Sequence, residues 1–329
     1  MNTITAAITG VFGWAPEDVI TNEELAQMVD TNDEWITSRT GIKERRVLKN
    51  PQLSTSDMAV KAIEGLLKQT NTKAEDIEVI IVATITPDMV FPSCAALTAT
   101  KIGAKNAFAF DLNSACSGFI FGLETAAQFI TSGKYKKVIL VGADKMTSLS
   151  DYTNRNTCIL FGDAAAAVLL EPNAEGNGVI DAVLHVDSNN WEHLCLRAGG
   201  AMKPATHETV DAHEHFIHQE GQPVFKIAVN GMAGAARDIL SRNNITGDDI
   251  AFLIPHQANK RIIDSTGHFL GLTPEKICVN IEKYGNTTAA TIPLCMYEFS
   301  HKFKKGDNLI LAAFGAGYSW GAMYLKWAY

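Results

Sequence analysis

Short apolar runs recur along this chain, each closed by turn-forming or charged residues. VIIVATI (79–85), VILVGA (138–143), AAAAVLL (164–170) and LILAAF (309–314) are uninterrupted rather than alternating, the pattern of strands covered on both faces. Between them lie stretches of helical spacing, such as 56–69 and 118–131. Buried strands alternating with helices predict α/β layering.

The order of elements also repeats. MAVKAIEGLLKQTNTKAEDIEVIIVAT (58–84) reads as a helix, an Asp-containing turn and a buried strand. MAGAARDILSRNNITGDDIAFLIPHQ (232–257) reads the same way, with Ile250 answering Ile77, a shift of 250 − 77 = 173. Leu309 answers Val138 at 171, and Gly271 answers Gly103 at 168. Three shifts near one value, in order, predict a duplicated unit. The Pro/Gly/Asn-rich EPNAEGNG (171–178) is the expected junction, giving halves 1–174 and 175–329.

Composition narrows the class. The 329 residues are 47% hydrophobic, enough for a sizeable core. The N-terminus has no basic segment leading into a long apolar run, and no stretch approaches a membrane span, so a soluble, cytoplasmic protein is expected. A net charge of −8 disfavours general nucleic-acid binding. The six cysteines show no CxxC spacing, which argues against a zinc cluster or dithiol motif. The histidines at 207, 213, 215 and 218 lack an apolar framework and read as a polar loop, with metal binding the lesser reading.

Two residues stand out chemically. Cys116 follows the run AFAFDL and precedes the helical stretch SGFIFGLETAAQFI. A cysteine there meets unpaired N–H groups and the positive end of a helix dipole, which favour the nucleophilic thiolate. Cys158, Cys278 and Cys295 read instead as buried, inert residues. His256 follows the strand AFLIP, at the C-terminal end where α/β sheets place ligand sites. Asn286 stands beyond Cys116 by nearly the repeat shift (286 − 116 = 170), so the repeat predicts equivalent strand-to-helix turns facing one cavity.

DLNSACSGF, PHQAN and GNTTAA in this order, with FGDAAAA (161–167) and FGAGYSWGA (314–322), resemble β-ketoacyl-acyl carrier protein synthase III of the thiolase superfamily. TNDEWITSRTGIKERR (31–46) and FPSCA (91–95) extend the resemblance to nearly the whole chain. It implies a five-layered αβαβα fold of two pseudo-two-fold-related halves, and a homodimer. The implied reaction is decarboxylative Claisen condensation of an acyl-CoA starter with malonyl-acyl carrier protein, through an acyl-cysteine, with no metal or other cofactor.

The resemblance carries a Cys–His–Asn triad onto Cys116, His256 and Asn286. An amide is a fixed donor where an enolate oxygen develops. Elongating condensing enzymes place a second histidine there, and 3-hydroxy-3-methylglutaryl synthases use a glutamate. The implied oxyanion hole is the N–H of Cys116 with that of Ala316, where the family usually reads three glycines. Trp35, Arg39 and Arg155 match coenzyme A nucleotide contacts, Asn259 a pantetheine contact, and Arg261 a carrier-protein contact. Beyond Arg261, where further lysines are common, this chain has His268 and Phe269. Phe91, reaching across the dimer, Met146 and Phe161 match the acyl pocket. The rival readings are a related synthase of secondary metabolism and an inactive thiolase-fold scaffold. A non-decarboxylating thiolase would need a second cysteine in the FGAG region, which has none.

Overall fold

In the computed structural model, which describes residues 4–329, strands and helices alternate as the apolar runs predict. The first half runs β1 (Thr5–Trp14), β2 (Val19–Thr21), α1 (Asn22–Leu25), α2 (Asp33–Thr40), β3 (Glu44–Arg46) and α3 (Thr55–Thr70). It continues with β4 (Val79–Ala83), α4 (Cys94–Ile102), β5 (Phe108–Leu112), α5 (Gly118–Thr131), β6 (Val138–Asp144) and β7 (Ala164–Asn173). The second half opens with β8 (Gly178–Val186), β9 (Leu194–Leu196), α6 (His207–Asp211), β10 (Ile217–Gln219) and α7 (Gly221–Asn243). It closes with β11 (Phe252–Pro255), α8 (Lys260–Phe269), α9 (Ile281–Tyr284), α10 (Thr291–Phe299), β12 (Asn308–Gly315) and β13 (Ser319–Lys326).

One sheet has the order β1-β7-β6-β4-β5 and the other β11-β12-β13-β8. Each keeps a parallel pair, β4 with β6 and β11 with β12, followed by antiparallel partners. The place of β5 is taken in the second half by a single parallel bridge from Leu253 to Ile277.

Alternation within the strands assigns the layers. Val79, Ile81, Val138 and Leu140 face inward with Leu309 and Leu311 of the other sheet, around Phe119, Ile120 and Leu123 of α5 and Ile292 and Met296 of α10. Ile80, Val82, Ile139 and Val141 face outward onto Met58, Ala62, Ile63 and Leu66, which form one stripe of α3. Leu253, Ile310 and Ala312 face the other way onto Met232, Ala236 and Ile239 of α7. Helices, sheet, helices, sheet, helices: this is the five-layered thiolase-like fold, in two pseudo-two-fold-related halves.

Backbone conformation sets the register of the repeat. Helix α3 ends on Asn71 (φ 51, ψ 38) and α7 on Asn244 (φ 53, ψ 40), both left-handed. Ala115 (φ 45) and Thr288 (φ 50) share the same strained region just before α5 and α10. Both pairs stand at the same offset as Ile77 and Ile250. The counterpart of Cys116 is therefore Ala289, and that of Asn286 is Asn113; the two turns correspond, but not these two residues. The halves also abut reciprocally. A β-carbon on Gly142 would collide with the Ala289 carbonyl oxygen, and one on Gly315 would fall 2.9 Å from the Cys116 nitrogen. Only glycine lets each strand end approach the other half's turn so closely. Among the described residues, no helix is long and apolar enough to cross a membrane.

Candidate active site

Cys116, His256 and Asn286 line one cavity of about 760 Å³ where the two halves meet. All three are nearly enclosed, at 9%, 2% and 7% exposure. Cys116 sits in the turn Ala115–Ser117 immediately before α5 rather than in its first helical turn. His256 follows the last residue of β11, its N–H donating to Ala312 O at 2.8 Å. Its Nδ1 lies 2.7 Å from Thr291 Oγ1, which donates to Thr288 O at 3.0 Å. Asn286 is threaded between main-chain groups: its N–H donates to Leu160 O at 2.8 Å, and its carbonyl accepts from Gly162 N–H at 3.1 Å. Its side-chain Oδ1 accepts from Thr288 N–H at 2.9 Å, so the amide NH₂ is the end left for the cavity.

Burial dominates the electrostatics. The Cys116 thiol is pushed up to about 12, first by desolvation and then by the Asp144 carboxylate, with the Asn286 hydrogen bond opposing. The thiol form is favoured in the closed cavity, against the expectation from the helix terminus alone. Desolvation lowers His256 to about 3, leaving a neutral imidazole.

The mouth and the interior differ. Trp35 is half-buried on α2, with the guanidinium carbons of Arg39 and Arg155 at 4.5 and 4.6 Å from its ring centroid. Trp35, Arg39 and Asn259 line the cavity; Arg155 does not, while its neighbour Asn156 does. Arg155 also pairs with Asp30 at 3.3 Å. Asn259 caps α8, its side chain accepting from Arg261 N–H at 2.9 Å. Arg261 is exposed, 5.3 Å from the Phe225 ring, and lines a polar recess shared with Arg39, Asn156 and Asn259. Inside, Met146 and Phe161 line the cavity with Ile85 and Leu149. Phe91 is 83% exposed and lies outside the lining of its own chain's cavity. Ala316 lines the cavity next to Gly315; the left-handed residue of that turn is Gly317 (φ 126), so a side chain at 316 meets no such strain.

The histidine-rich segment is held by polar pairs. His213 faces Asp151 at 2.9 Å, His193 faces Glu220 at 3.0 Å, and His215 pairs with Thr209 at 2.9 Å.

The family described as "3-Oxoacyl-[acyl-carrier-protein (ACP)] synthase III" matches residues 110–188, and its C-terminal counterpart matches 240–327. A β-ketoacyl-[acyl-carrier-protein] synthase III of Bacteroides thetaiotaomicron is 52% identical over 329 residues, covering 100% of this chain and 98% of that one. The chain belongs to this family. The synthase III of Chlorobaculum tepidum is 53% identical over 326 residues, covering 98% of this chain and 99% of the other. The crystal structure of the 3-oxoacyl-[acyl-carrier-protein] synthase III of Aquifex aeolicus superposes with a TM-score of 0.90 at 38% identity, over 98% of this chain and 100% of that one. The enzyme is thus an acyltransferase whose condensation initiates fatty acid synthesis.

Sequence reasoning passed over Thr288, Thr291 and Asp144, which form the hydrogen-bonded framework behind Asn286 and His256. Asp144 carried a signal: it is the one charged residue of the buried strand β6. Thr288 and Thr291 carried none beyond lying in GNTTAATIP.

Proposed function

We propose that this synthase loads an acyl group from acyl-CoA onto Cys116, releases coenzyme A, and then condenses the acyl group with malonyl-acyl carrier protein. The observation that carries this reading is the convergence of thiol, neutral imidazole and oriented amide on one largely apolar cavity. In the first half-reaction His256 Nε2 takes the thiol proton as sulfur attacks the thioester carbonyl. The N–H groups of Cys116 and Ala316 hold the oxyanion, and the departing CoA sulfur takes the proton. In the second, loss of CO₂ from the malonyl group leaves an enolate whose oxygen is held by Asn286 Nδ2–H and by His256 in its Nε2–H tautomer, the Thr291 hydroxyl then donating to Nδ1. The enolate carbon attacks the acyl thioester, and Cys116 leaves as thiolate and takes from solvent the one proton that the overall reaction consumes. Water is kept from the carbanion by the apolar wall of Met146, Phe161, Ile85 and Leu149.

In the same reading, Trp35, Arg39 and Arg155 grip the nucleotide of coenzyme A, Asn259 the pantetheine and Arg261 the acidic carrier protein. Residues 1–174 then form the half that carries the nucleophile, and 175–329 the half that carries His256 and Asn286. A homodimer fits two exposed features: β5 is an open sheet edge, and Val90 and Phe91 stand 90% and 83% exposed. Phe91 would enter the partner's acyl pocket.

Intact mass after incubation with a panel of acyl-CoAs tests the central claim. One acyl group per chain, lost in Cys116→Ala and kept in Cys195→Ala, is expected. Wild-type acylation of Cys116→Ala would overturn it.

A further inference from the structure

Asp144 ends β6 fully buried, and every group that touches it donates. Its Oδ1 accepts from the hydroxyls of Thr84 and Thr86, both at 2.9 Å, and from the N–H groups of Ile85 and Thr86 at 2.8 and 3.1 Å. Its Oδ2 accepts from the Thr288 hydroxyl and, at 3.4 Å, from Ala289 N–H. The first set belongs to the first half of the chain and the second to the turn that follows Asn286. One carboxylate therefore spans the seam between the halves.

Thr288 is where that link becomes chemical. It holds a left-handed backbone (φ 50), which a β-branched residue adopts only when its surroundings compel it. All three of its polar groups are used. Its N–H fixes the Asn286 side chain through Oδ1, its carbonyl accepts from Thr291, which contacts His256 Nδ1, and its hydroxyl is tied to Asp144. Amide and imidazole are thus aimed from one residue, and Asp144 holds that residue in place. The arrangement has a cost: burial raises the Asp144 carboxyl above its ordinary value against its ring of donors, and its charge in turn raises the Cys116 thiol. A neutral residue could cap the turn without that penalty.

We propose that Asp144 is a positioning residue for the condensation: by holding Thr288 it sets the aim of both Asn286 and His256. This inference rests on the triad reading given above.

Thr288→Val and Thr288→Ser test it. Valine keeps the shape and β-branching of threonine, so backbone strain is unchanged while the hydrogen bond to Asp144 is lost. Decarboxylation of malonyl-acyl carrier protein by Thr288→Val should fall on the order of 10²-fold in kcat, the scale of a misplaced reacting group, with KM unchanged. Thr288→Ser, which keeps the hydroxyl, should recover most of that loss. In Asp144→Asn, where it folds, alkylation of Cys116 should shift to lower pH even as decarboxylation slows; simple damage would not join these two changes. A wild-type rate in Thr288→Val overturns the proposal. So does an equal loss in Thr288→Ser, or a loss that follows the thermal midpoint. The triad reading fails separately, if Asn286→Ala decarboxylates at the wild-type rate. An impaired Asn286→Ala beside an intact Thr288→Val removes only the role of Asp144.

Discussion

His256 and Thr291 are joined Nδ1 to Oγ1 at 2.7 Å, and the Thr291 hydroxyl donates onward to the Thr288 carbonyl at 3.0 Å. A carbonyl only accepts, so when the Thr291 proton is given to it, Nδ1 carries the ring proton. The resting Nε2 then offers a lone pair to the cavity, the state a base for the Cys116 thiol requires. Nitrogen-15 NMR should show the Nδ1–H tautomer in the resting enzyme. Thr291→Val should lose the lock and slow Cys116 acylation by at least about tenfold, out of the ~10²–10⁴ that a positioned base contributes. Thr291→Ser should retain both. A resting Nε2–H tautomer would refute this assignment.

Burial of His256 also has a thermodynamic consequence. Its native pKa, about 3, lies below the ordinary value of 6.5, so between those pH values the unfolded chain takes up a proton that the native state does not. Stability therefore falls as pH drops below 6.5. At pH 5 the loss from this residue is about 2 kcal/mol, from roughly 1.5 pH units at ~1.4 kcal/mol each. Other groups titrate in this range too, so the quantity to compare is the change in unfolding free energy from pH 7 to 5 in wild type and in His256→Gln. The wild type should lose more than the variant, by that same amount. Equal losses would mean that the imidazole is accessible to protons in the native state.

Much of this fold was legible because its strands are sandwiched between layers. A strand buried on both faces must be apolar at every position, so VILVGA and LILAAF stood out, and the stretch 118–131 emerges as α5 with the same bounds. The duplicated order was legible from Ile77 and Ile250, which end matching turns in matching extended conformations. The register at the turns that carry Cys116 and Asn286 was not. The shift between Cys116 and Asn286 comes close to the repeat by accident, since backbone geometry pairs Cys116 with Ala289. The state of the thiol escaped for a different reason. A helix terminus can be read from local sequence, but the desolvation that outweighs it comes from walls contributed by both halves. The segment between β8 and α7, rich in His, Asp and Glu, gave no pattern, because it packs largely through exposed polar pairs such as His213–Asp151.

Trp35 makes a separable prediction about substrate grip. With Arg39 and Arg155 both within 4.6 Å of its ring centroid, the indole anchors two guanidinium groups at the cavity mouth. A purine can exchange with one of them and stack between the indole and the other, while the cations meet the phosphates. Trp35→Ala should raise KM for acyl-CoA about tenfold and leave acyl-pantetheine, which lacks the nucleotide, nearly unaffected. Equal losses with both substrates would make Trp35 a packing residue of α2.

The proposed mechanism makes Asn286 the residue that divides the two half-reactions. Its Oδ1 is committed to Thr288 N–H, so the group it offers is the NH₂, a donor that no pH change removes. In the proposed mechanism acyl transfer to Cys116 has its own oxyanion donors in the N–H groups of Cys116 and Ala316, whereas the malonyl enolate depends on Asn286. Asn286→Ala should therefore still be acylated but decarboxylate malonyl-acyl carrier protein ~10²–10³-fold more slowly, the typical effect of removing one oxyanion donor. Asn286→Asp should be no better: a carboxylate accepts from Thr288 equally well yet turns a second acceptor toward the developing negative charge. The competing account is that the side chain serves only to cap its own turn, as asparagine often does. Under that account Asn286→Asp would keep the cap and retain decarboxylation, while Asn286→Ala would lose both half-reactions together with thermal stability. Acylation, decarboxylation and unfolding measured on both variants separate the two, because only a donor at the enolate makes aspartate as damaging as alanine.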